Sequence, residues 1–592
     1  MSADGADPDG RPDAESPYTL QRDPDGGDGE RYAFWADEVA DRVEGRVEAR
    51  IEAGERDPDD PIVIKGGISP SGVPHLGNVN EIMRGYYVAE VLRERGYEVR
   101  QVFTTDDRDP LRKLPRTLCD LEGDLVDLGD VDAGALGRNL GAPYTDIPDP
   151  FGCCDSYGDH FSNIIADSAE AVDVPIELVS NTDLYEDGEF EELTRFVLEN
   201  QETAREVLSQ YQDKVDEEYV PFNPICEECG KVTETVTDVD LESEAHSASD
   251  RRAESDATRE TAGTVDYRCT DMDAGDQTIS GCGHEGTATL REGKLPWRFE
   301  WPAQWDILGV DFEPFGKDHA EGSWPSGQDV AKNVFESEPP VPMVYEWFTL
   351  DGEPFSSSAG NVILVSDVLE LLEPEVLRYF FAKDPSKARD FSIERLDQLV
   401  DEFDRFEAIY FGEVEASEDE QAFAERVYPL VVDEPHEERI RLPYTFAAVL
   451  GMTDDPDVRE QIARKEGHIP ENAPEWAVEA ALARVERAQN WARRTGNEFD
   501  YELKRSAIPD YEFDSATEDA LEELAEFVET DPGPEELQGE IYETAKRHDV
   551  PVGDFFQAGY RLFFDDTQGP KLGPFLEKLD KEFVVSRLRR EK

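Results

Sequence analysis

The chain has 592 residues, a net charge of −80 from 138 acidic against 58 basic residues, and 38% hydrophobic residues. That length calls for several domains rather than one core. No run of 18 apolar residues occurs, so nothing spans a membrane, and the acidic start MSADGADPDGRPDAESP has no apolar stretch, which argues against a secretory leader and leaves the cytoplasm.

Only 16 of the basic residues are lysines, and the acids are spread along the whole chain. Such a surface suits concentrated salt, where screening removes its self-repulsion. At molar salt the Debye length is about 3 Å, so a local basic patch can still meet phosphate and the net charge excludes no nucleic-acid partner.

Residues 1–30 are rich in Asp, Gly and Pro and read as disordered. RYAFWADEVADRVEGRVEARIEAG reads as a helix and PIVIKGG as a short buried strand. The loop GGISPSGVPHLGN leads into a helix near 79–96, and YEVRQVFTTDD is the next strand. Strand, helix, strand at this spacing is a βαβ unit and implies a parallel sheet. Ligands then sit beyond the carboxyl ends of the strands, where this loop and Thr105-Asp106-Asp107 both fall.

The pattern changes over 146–295, which reads as an insertion between two halves (31–145 and 296–395) of the sheet domain. Within it, about 237–266 is nearly free of apolar groups and reads as a mobile acidic loop. From 396 to 592 the chain is acidic and helical, without strand-length alternation, and reads as a separate all-α domain.

In PSGVPHLGN, Pro70 to Asn78, Gly72 and Gly77 leave room for a ligand to approach the backbone. The helix that follows offers free N–H groups and a positive dipole end to phosphate, and His75 can donate to the same group. An ordinary strand-to-helix turn is the plainer reading of this stretch alone. PFSSSAGN, Pro354 to Asn361, is a polar loop about 280 residues later.

Seven cysteines without a leader speak for thiols or metal rather than a disulfide frame. Cys226 and Cys229 form a Cys-x₂-Cys knuckle, with Cys269, Cys282 and His284 downstream, a set that suits tetrahedral zinc but leaves the fourth ligand open between Cys282 and His284. Asp149, Cys153, Cys154 and His160 form a second, weaker cluster.

The two loops together resemble the HIGH and KMSKS signatures of class I aminoacyl-tRNA synthetases, here His75-Leu76-Gly77-Asn78 and Pro354-Phe355-Ser356-Ser357-Ser358. GGISPSGVPHLGN, DDRDPLRKLPR, PDPFGCCDSYGDHF, LPWRFEWPAQWDILGVDFEPFGKDH, PFSSSAGNVI and LEPEVLRYFFAKDPSKARDF are similar, in order and spacing, to the class I lysyl-tRNA synthetases over about residues 30–400, with a looser likeness in the helical tail.

The resemblance implies an α/β fold: a Rossmann-type catalytic domain with a zinc-binding insertion, then a helical anticodon-binding domain. It implies a cytoplasmic, ATP-dependent lysine–tRNA ligase of a halophilic archaeal type, with tRNA(Lys), lysine, ATP and Mg²⁺ as partners and first transfer to the 2′-hydroxyl. The sequence sets no oligomeric state, and a monomer is the working expectation. His75, Asn78, Ser356, Ser357 and Ser358 would carry catalysis, and Pro70, Ser71, Gly72, Gly77, Gly360 and Asn361 would join them around ATP. Gly67, Ser69, Trp297, Glu300, His319 and Tyr345 would line the lysine site, with Glu300 selecting the ammonium because a carboxylate between tryptophans needs a cation. For zinc, the resemblance favours Cys226, Cys229, Cys269 and His284, and makes Asp149, Cys153, Cys154 and His160 a second site.

One departure stands out. The family's second loop carries two lysines, where this chain has Pro354 and Ala359. Mg²⁺, Lys317 or nearby arginines are the candidates to replace their charge. The alternatives are a glutamyl- or cysteinyl-tRNA synthetase, a non-catalytic tRNA-binding paralogue, and a small-molecule nucleotidyltransferase. A glutamate pocket would want an arginine where Glu300 sits.

Overall fold

The computed structural model describes residues 32–591, apart from 214, 246–260, 276, 356–360, 437–438, 454, 498, 505–507 and 510. The chain divides into two compact units. The first runs to Asp367 and also takes in Leu377–Phe391 and Glu425–Val431; the second holds Val368–Val376, Ser392–Ala424 and the chain from Val432 on.

In the first unit, α1 (Trp35–Ala53), β1 (Ile62–Ile68), α2 (Leu76–Glu94) and β2 (Val99–Thr105) come first, then α3 (Tyr157–Glu170) and β3 (Glu177–Ser180). After the insertion come α4 (Trp297–Leu308), β4 (Val310–Gly316), α5 (Ser323–Asn333) and β5 (Val341–Tyr345). The sheet order is β5-β4-β1-β2-β3, and every pairing is parallel. The strand order therefore reverses at β1, and the crevice between the carboxyl ends of β1 and β4 is the place where an open parallel sheet binds ligands.

The sequence dictates this arrangement locally. β1 and β4 are almost wholly buried, as strands covered on both faces must be. Trp297, Trp301 and Trp305 repeat every four residues along α4 and so form one row. Their ring centroids are 5.5 and 5.0 Å apart, and Trp324 of α5 packs 5.9 Å from Trp301 and 5.4 Å from Trp305. This wall closes one face of the sheet, and α2 covers the other.

α2 begins at Leu76, three residues before the sequence-based start near 79, because His75 and Asn78 form a reciprocal cap. His75 Nδ1 accepts the Gly77 N–H at 3.1 Å, while the His75 N–H donates to Asn78 Oδ1 at 2.9 Å.

The expected acidic loop at 237–266 is different in its described parts. Val236–Ala245 and Thr261–Arg268 are paired antiparallel strands, and Glu285–Thr289 adds a third. Val265 and Tyr267 are buried while Asp266 and Arg268 are exposed, so a period-two alternation is present beneath the acidic composition.

The second unit is built from helices, among them α6 (Leu396–Tyr410), α7 (Tyr444–Leu450) and α8 (Glu475–Thr495). Arg484 of α8 lies buried in its core. It meets Glu373 at 2.6 Å and Asp404 at 2.7 Å, and donates to the Leu442 carbonyl at 2.9 Å. Removing the guanidinium strands two carboxylates away from water. Arg484→Met is therefore expected to cost roughly 3–5 kcal/mol, read as a lowered denaturant midpoint in molar KCl; a midpoint equal to wild type would show that the network does not hold the unit together.

Candidate active site and metal centres

Two adjoining cavities open at the carboxyl ends of β1, β4 and β5. The larger, about 470 Å³, is lined by His75, Gly77 and Asn78 from the start of α2, by Tyr345 and Trp347, and by Pro354 and Phe355. The smaller, about 250 Å³, is lined by Trp297, Trp301, Phe315 and several charged side chains.

Burial lowers the His75 pKa to about 4, so the imidazole is neutral at physiological pH. Its Nδ1 already accepts from Gly77, which leaves the proton on Nε2 as the ring's donor. The ring stacks on Phe355 with centroids 4.9 Å apart. A Cβ on Gly77 would come within 2.8 Å of the His75 ring, so a glycine is required there.

Ser356, Ser357, Ser358, Ala359 and Gly360 lie outside the described residues. The base of their loop is tied down, since Asn361 Nδ2 donates to the Pro354 carbonyl at 2.8 Å. Asn361 and the expected trio Pro70, Ser71 and Gly72 are absent from the described lining of both cavities, and Ser71 instead accepts the Tyr157 hydroxyl at 2.9 Å through its carbonyl. Among the described residues lining the larger cavity, none is Lys or Arg. Lys317 Nζ lies 3.1 Å from Glu346.

Of the expected amino-acid site, Gly67, Ser69 and His319 line both cavities, Trp297 the smaller and Tyr345 the larger. Glu300 is a correction. It is fully buried and outside the described lining, with Lys294 Nζ 2.7 Å from one oxygen and the Tyr185 hydroxyl 2.9 Å from the other. The carboxylate does need a cation, and the chain itself supplies it from six residues upstream. Burial works to lower the Lys294 pKa, but Asp109 and Glu300 more than offset this and hold the ammonium charged.

The smaller cavity instead presents Glu81, Asp106, Asp109 and Glu313, with Lys65 as the lysine in its lining. Lys65 is taken by Glu313 at 2.7 Å, and Glu313 also accepts from Trp301 at 3.0 Å and Trp305 at 2.5 Å. Asp106 accepts from Asn181 and Gln304 at 3.0 and 3.2 Å, and Asp109 contacts Lys294. Burial, then the neighbouring Asp109 and Glu300, push the Asp106 pKa well up. With Glu300 behind the wall, five acids stand near two ammoniums: Lys65 pairs with Glu313, and Lys294 with Asp109 and Glu300. Sequence reasoning placed Asp106 at the strand end but missed the roles open to Glu81, Asp109 and Glu313. The available signal for Glu81 was its position one turn beyond Asn78 on the same helix face.

Two clusters could hold metal. The Sγ atoms of Cys226, Cys229, Cys269 and Cys282 lie within 4.8 Å of one another, with Cys226–Cys282 and Cys229–Cys269 both at 3.7 Å. Thiolates 2.3 Å from a tetrahedral zinc are about 3.8 Å apart, so the set fits that ion. The expected fourth ligand, His284, is corrected to Cys282: the His284 Nε2 faces Glu227 at 3.0 Å and lies outside the group. The second cluster gathers Asp149, Cys153, Cys154 and His160 as expected. His160 Nε2 lies 2.8 Å from the Cys119 carbonyl, which places its proton there and leaves Nδ1 free to face Cys153 at 3.4 Å.

The family model described as class I tRNA synthetases (K) matches residues 33–433. The lysine–tRNA ligase of Haloarcula marismortui is 66% identical, over 98% of this chain and 99% of its own length. The corresponding ligase of Halobacterium salinarum is 69% identical, over 96% and 99%. That of Pyrococcus furiosus is 33% identical, over 91% and 97%.

The four-thiol geometry separates Cys282 from its neighbour His284. Cys282→Ser should lose one equivalent of bound zinc relative to wild type, while His284→Ala should retain it, as read by elemental analysis of the purified full chain. The opposite pattern would return the fourth position to the histidine.

Proposed function

The chain belongs to the class I lysyl-tRNA synthetases, and from that premise we propose how its two cavities divide the work of a lysine–tRNA ligase. The protein is an ATP-dependent aminoacyl-tRNA synthetase. A lysine carboxylate oxygen attacks the α-phosphorus of ATP, the bond to the β-phosphate breaks, and pyrophosphate leaves. The terminal ribose hydroxyl of tRNA then attacks the lysyl carbonyl and AMP departs.

The smaller cavity takes lysine. The observation that carries this is its set of acids: four carboxyl groups line a pocket walled by Trp297, Trp301 and Phe315, against the ammoniums of Lys65 and Lys294. Those that burial pushes toward the neutral form would ionise on meeting a cation. A dicationic amino acid with an apolar stem matches such a site, whereas a glutamate side chain would be repelled by it.

The larger cavity takes ATP. The Leu76, Gly77 and Asn78 N–H groups are already given to the Ile363 carbonyl, His75 Nδ1 and the His75 carbonyl, so the positive end of the α2 dipole and the Nε2–H of neutral His75 meet the phosphates. Neither the described lining nor the Ser356–Gly360 segment brings a lysine or arginine. A Mg²⁺ ion bound with the nucleotide would supply the missing positive charge, with Asp318 as a carboxylate in the described lining that could face it. The four thiols of Cys226, Cys229, Cys269 and Cys282, and the cluster of Asp149, Cys153, Cys154 and His160, would each hold zinc as a structural centre. The helical unit reads the anticodon. No described helix is long and apolar enough to cross a membrane, and the reading is of a cytoplasmic protein working in concentrated salt.

ATP–pyrophosphate exchange in molar KCl with a panel of amino acids tests the reading. Exchange with lysine is expected; exchange with another amino acid and none with lysine would overturn it. His75→Ala should slow exchange by on the order of a hundredfold or more with an unchanged melting curve, and an unaltered rate would remove His75 from the site.

A further inference from the structure

The two cavities share a wall. Among the described residues, Gly67, Ile68, Ser69, Glu81 and His319 line both, and of these five Glu81 is the acid. In a reaction between an amino-acid carboxylate and the α-phosphate of a nucleotide, the carboxylate must sit at that wall, because the nucleotide fills one side and the side chain the other. The α-carbon then stands at the wall too, with its ammonium one bond away. Asp106, Asp109 and Glu313 line only the smaller cavity. They lie toward the distal end of a lysine.

Glu81 is held as a receptor for a cation. Its Oε1 accepts the Gly67 N–H at 2.7 Å and its Oε2 the Tyr345 hydroxyl at 2.9 Å. Two donors fix the rotamer and bridge the ends of β1 and β5, while each oxygen keeps an unused lone pair. The side chain reaches this point from α2 because β1 carries Gly66 and Gly67 just before its last residue: a Cβ on Gly66 would lie 2.9 Å from Glu81 Oε1. Burial pushes the Glu81 carboxyl up to about 7, and the Gly67 and Tyr345 bonds offset this only in part. A cation at its open lone pairs would bring it back to the charged form.

We propose that Glu81 receives the α-ammonium of the substrate amino acid and so turns the substrate carboxylate toward the nucleotide. The assignment rests on the lysine–tRNA ligase reading above. It gives the two ammoniums of lysine separate partners: Glu81 for the one beside the reacting carboxylate, and the acids of the smaller cavity for the other.

A cycle that pairs a protein change with a ligand change tests it. Calorimetry on the free full chain in molar KCl would compare lysine, 6-aminohexanoic acid, which lacks the α-amino group, and norleucine, which lacks the ε-amino group. In the wild type, loss of the α-ammonium should weaken binding by roughly tenfold to a hundredfold. In Glu81→Gln, which keeps the side chain's shape, that preference for lysine over 6-aminohexanoic acid should be lost, while the preference over norleucine stays at its wild-type value. An unchanged preference over 6-aminohexanoic acid, or a loss of the preference over norleucine instead, would overturn the assignment. An equal weakening of all three ligands would also overturn it, as the mark of a merely structural residue. If Glu81→Gln does not fold, Glu81→Asp, shorter by one methylene, takes the same cycle with the same criteria. Wild-type protein that lacks lysine-dependent exchange would sink the ligase reading, whereas the ligand ratios bear on Glu81 alone.

Discussion

A carboxylate taken out of water must find a cation or several donors, and the catalytic unit is arranged around that requirement. Glu313 meets it with Lys65 and two indole N–H groups, and so fixes β1, β4 and the tryptophan row of α4 together. Glu300 meets it with Lys294 and Tyr185, which ties the insertion to α4. Asp311 meets it with Arg56 at 2.6 Å and the Val63 N–H at 3.0 Å, at the opposite end of the strands. Where the strands end and the crevice opens, the pairing is incomplete: Asp106 has amide donors only, Asp109 shares Lys294, and Glu81 has a backbone N–H and a phenol. The same rule that consolidates the core leaves acids at its mouth that lack a full set of partners.

The larger cavity, proposed for the nucleotide, has the opposite character. It has no Lys or Arg among the described lining residues, and His75 is uncharged. Oriented dipoles and hydrogen bonds do not weaken with ionic strength as an exposed ion pair does. For a chain of charge −80, whose surface suits concentrated salt, holding phosphate through a helix end and a neutral imidazole is consistent with the missing loop lysines.

Much of this was legible in the sequence. The βαβ spacing gave the parallel sheet, and His75, Gly77 and Asn78 stood out as a turn that could meet phosphate. Cys226 and Cys229 announced a metal knuckle. What failed was partner choice across space. Glu300 needed a cation, yet nothing local says that Lys294, on the two-residue strand Gly293–Lys294 before it, arrives first. Cys282 and His284 are two residues apart, and only the turn between them decides which faces the other thiols. The strand at Val236–Ala245 hid because Asp238, Asp240, Glu242 and Glu244 at alternate positions mask the apolar ones, and Thr261–Arg268 because its apolar residues are few.

The tryptophan row has one more consequence. Half of the chain's eight tryptophans, Trp297, Trp301, Trp305 and Trp324, belong to one contiguous group that forms a wall of the smaller cavity. Indoles in such close contact exchange excitation energy, and the emission of the group follows the polarity at its open end, where Trp297 faces the cavity. Replacing pocket water by a ligand stem changes that surrounding for the whole group. The wall that shapes the site is therefore also an intrinsic optical gauge of whether the site is full.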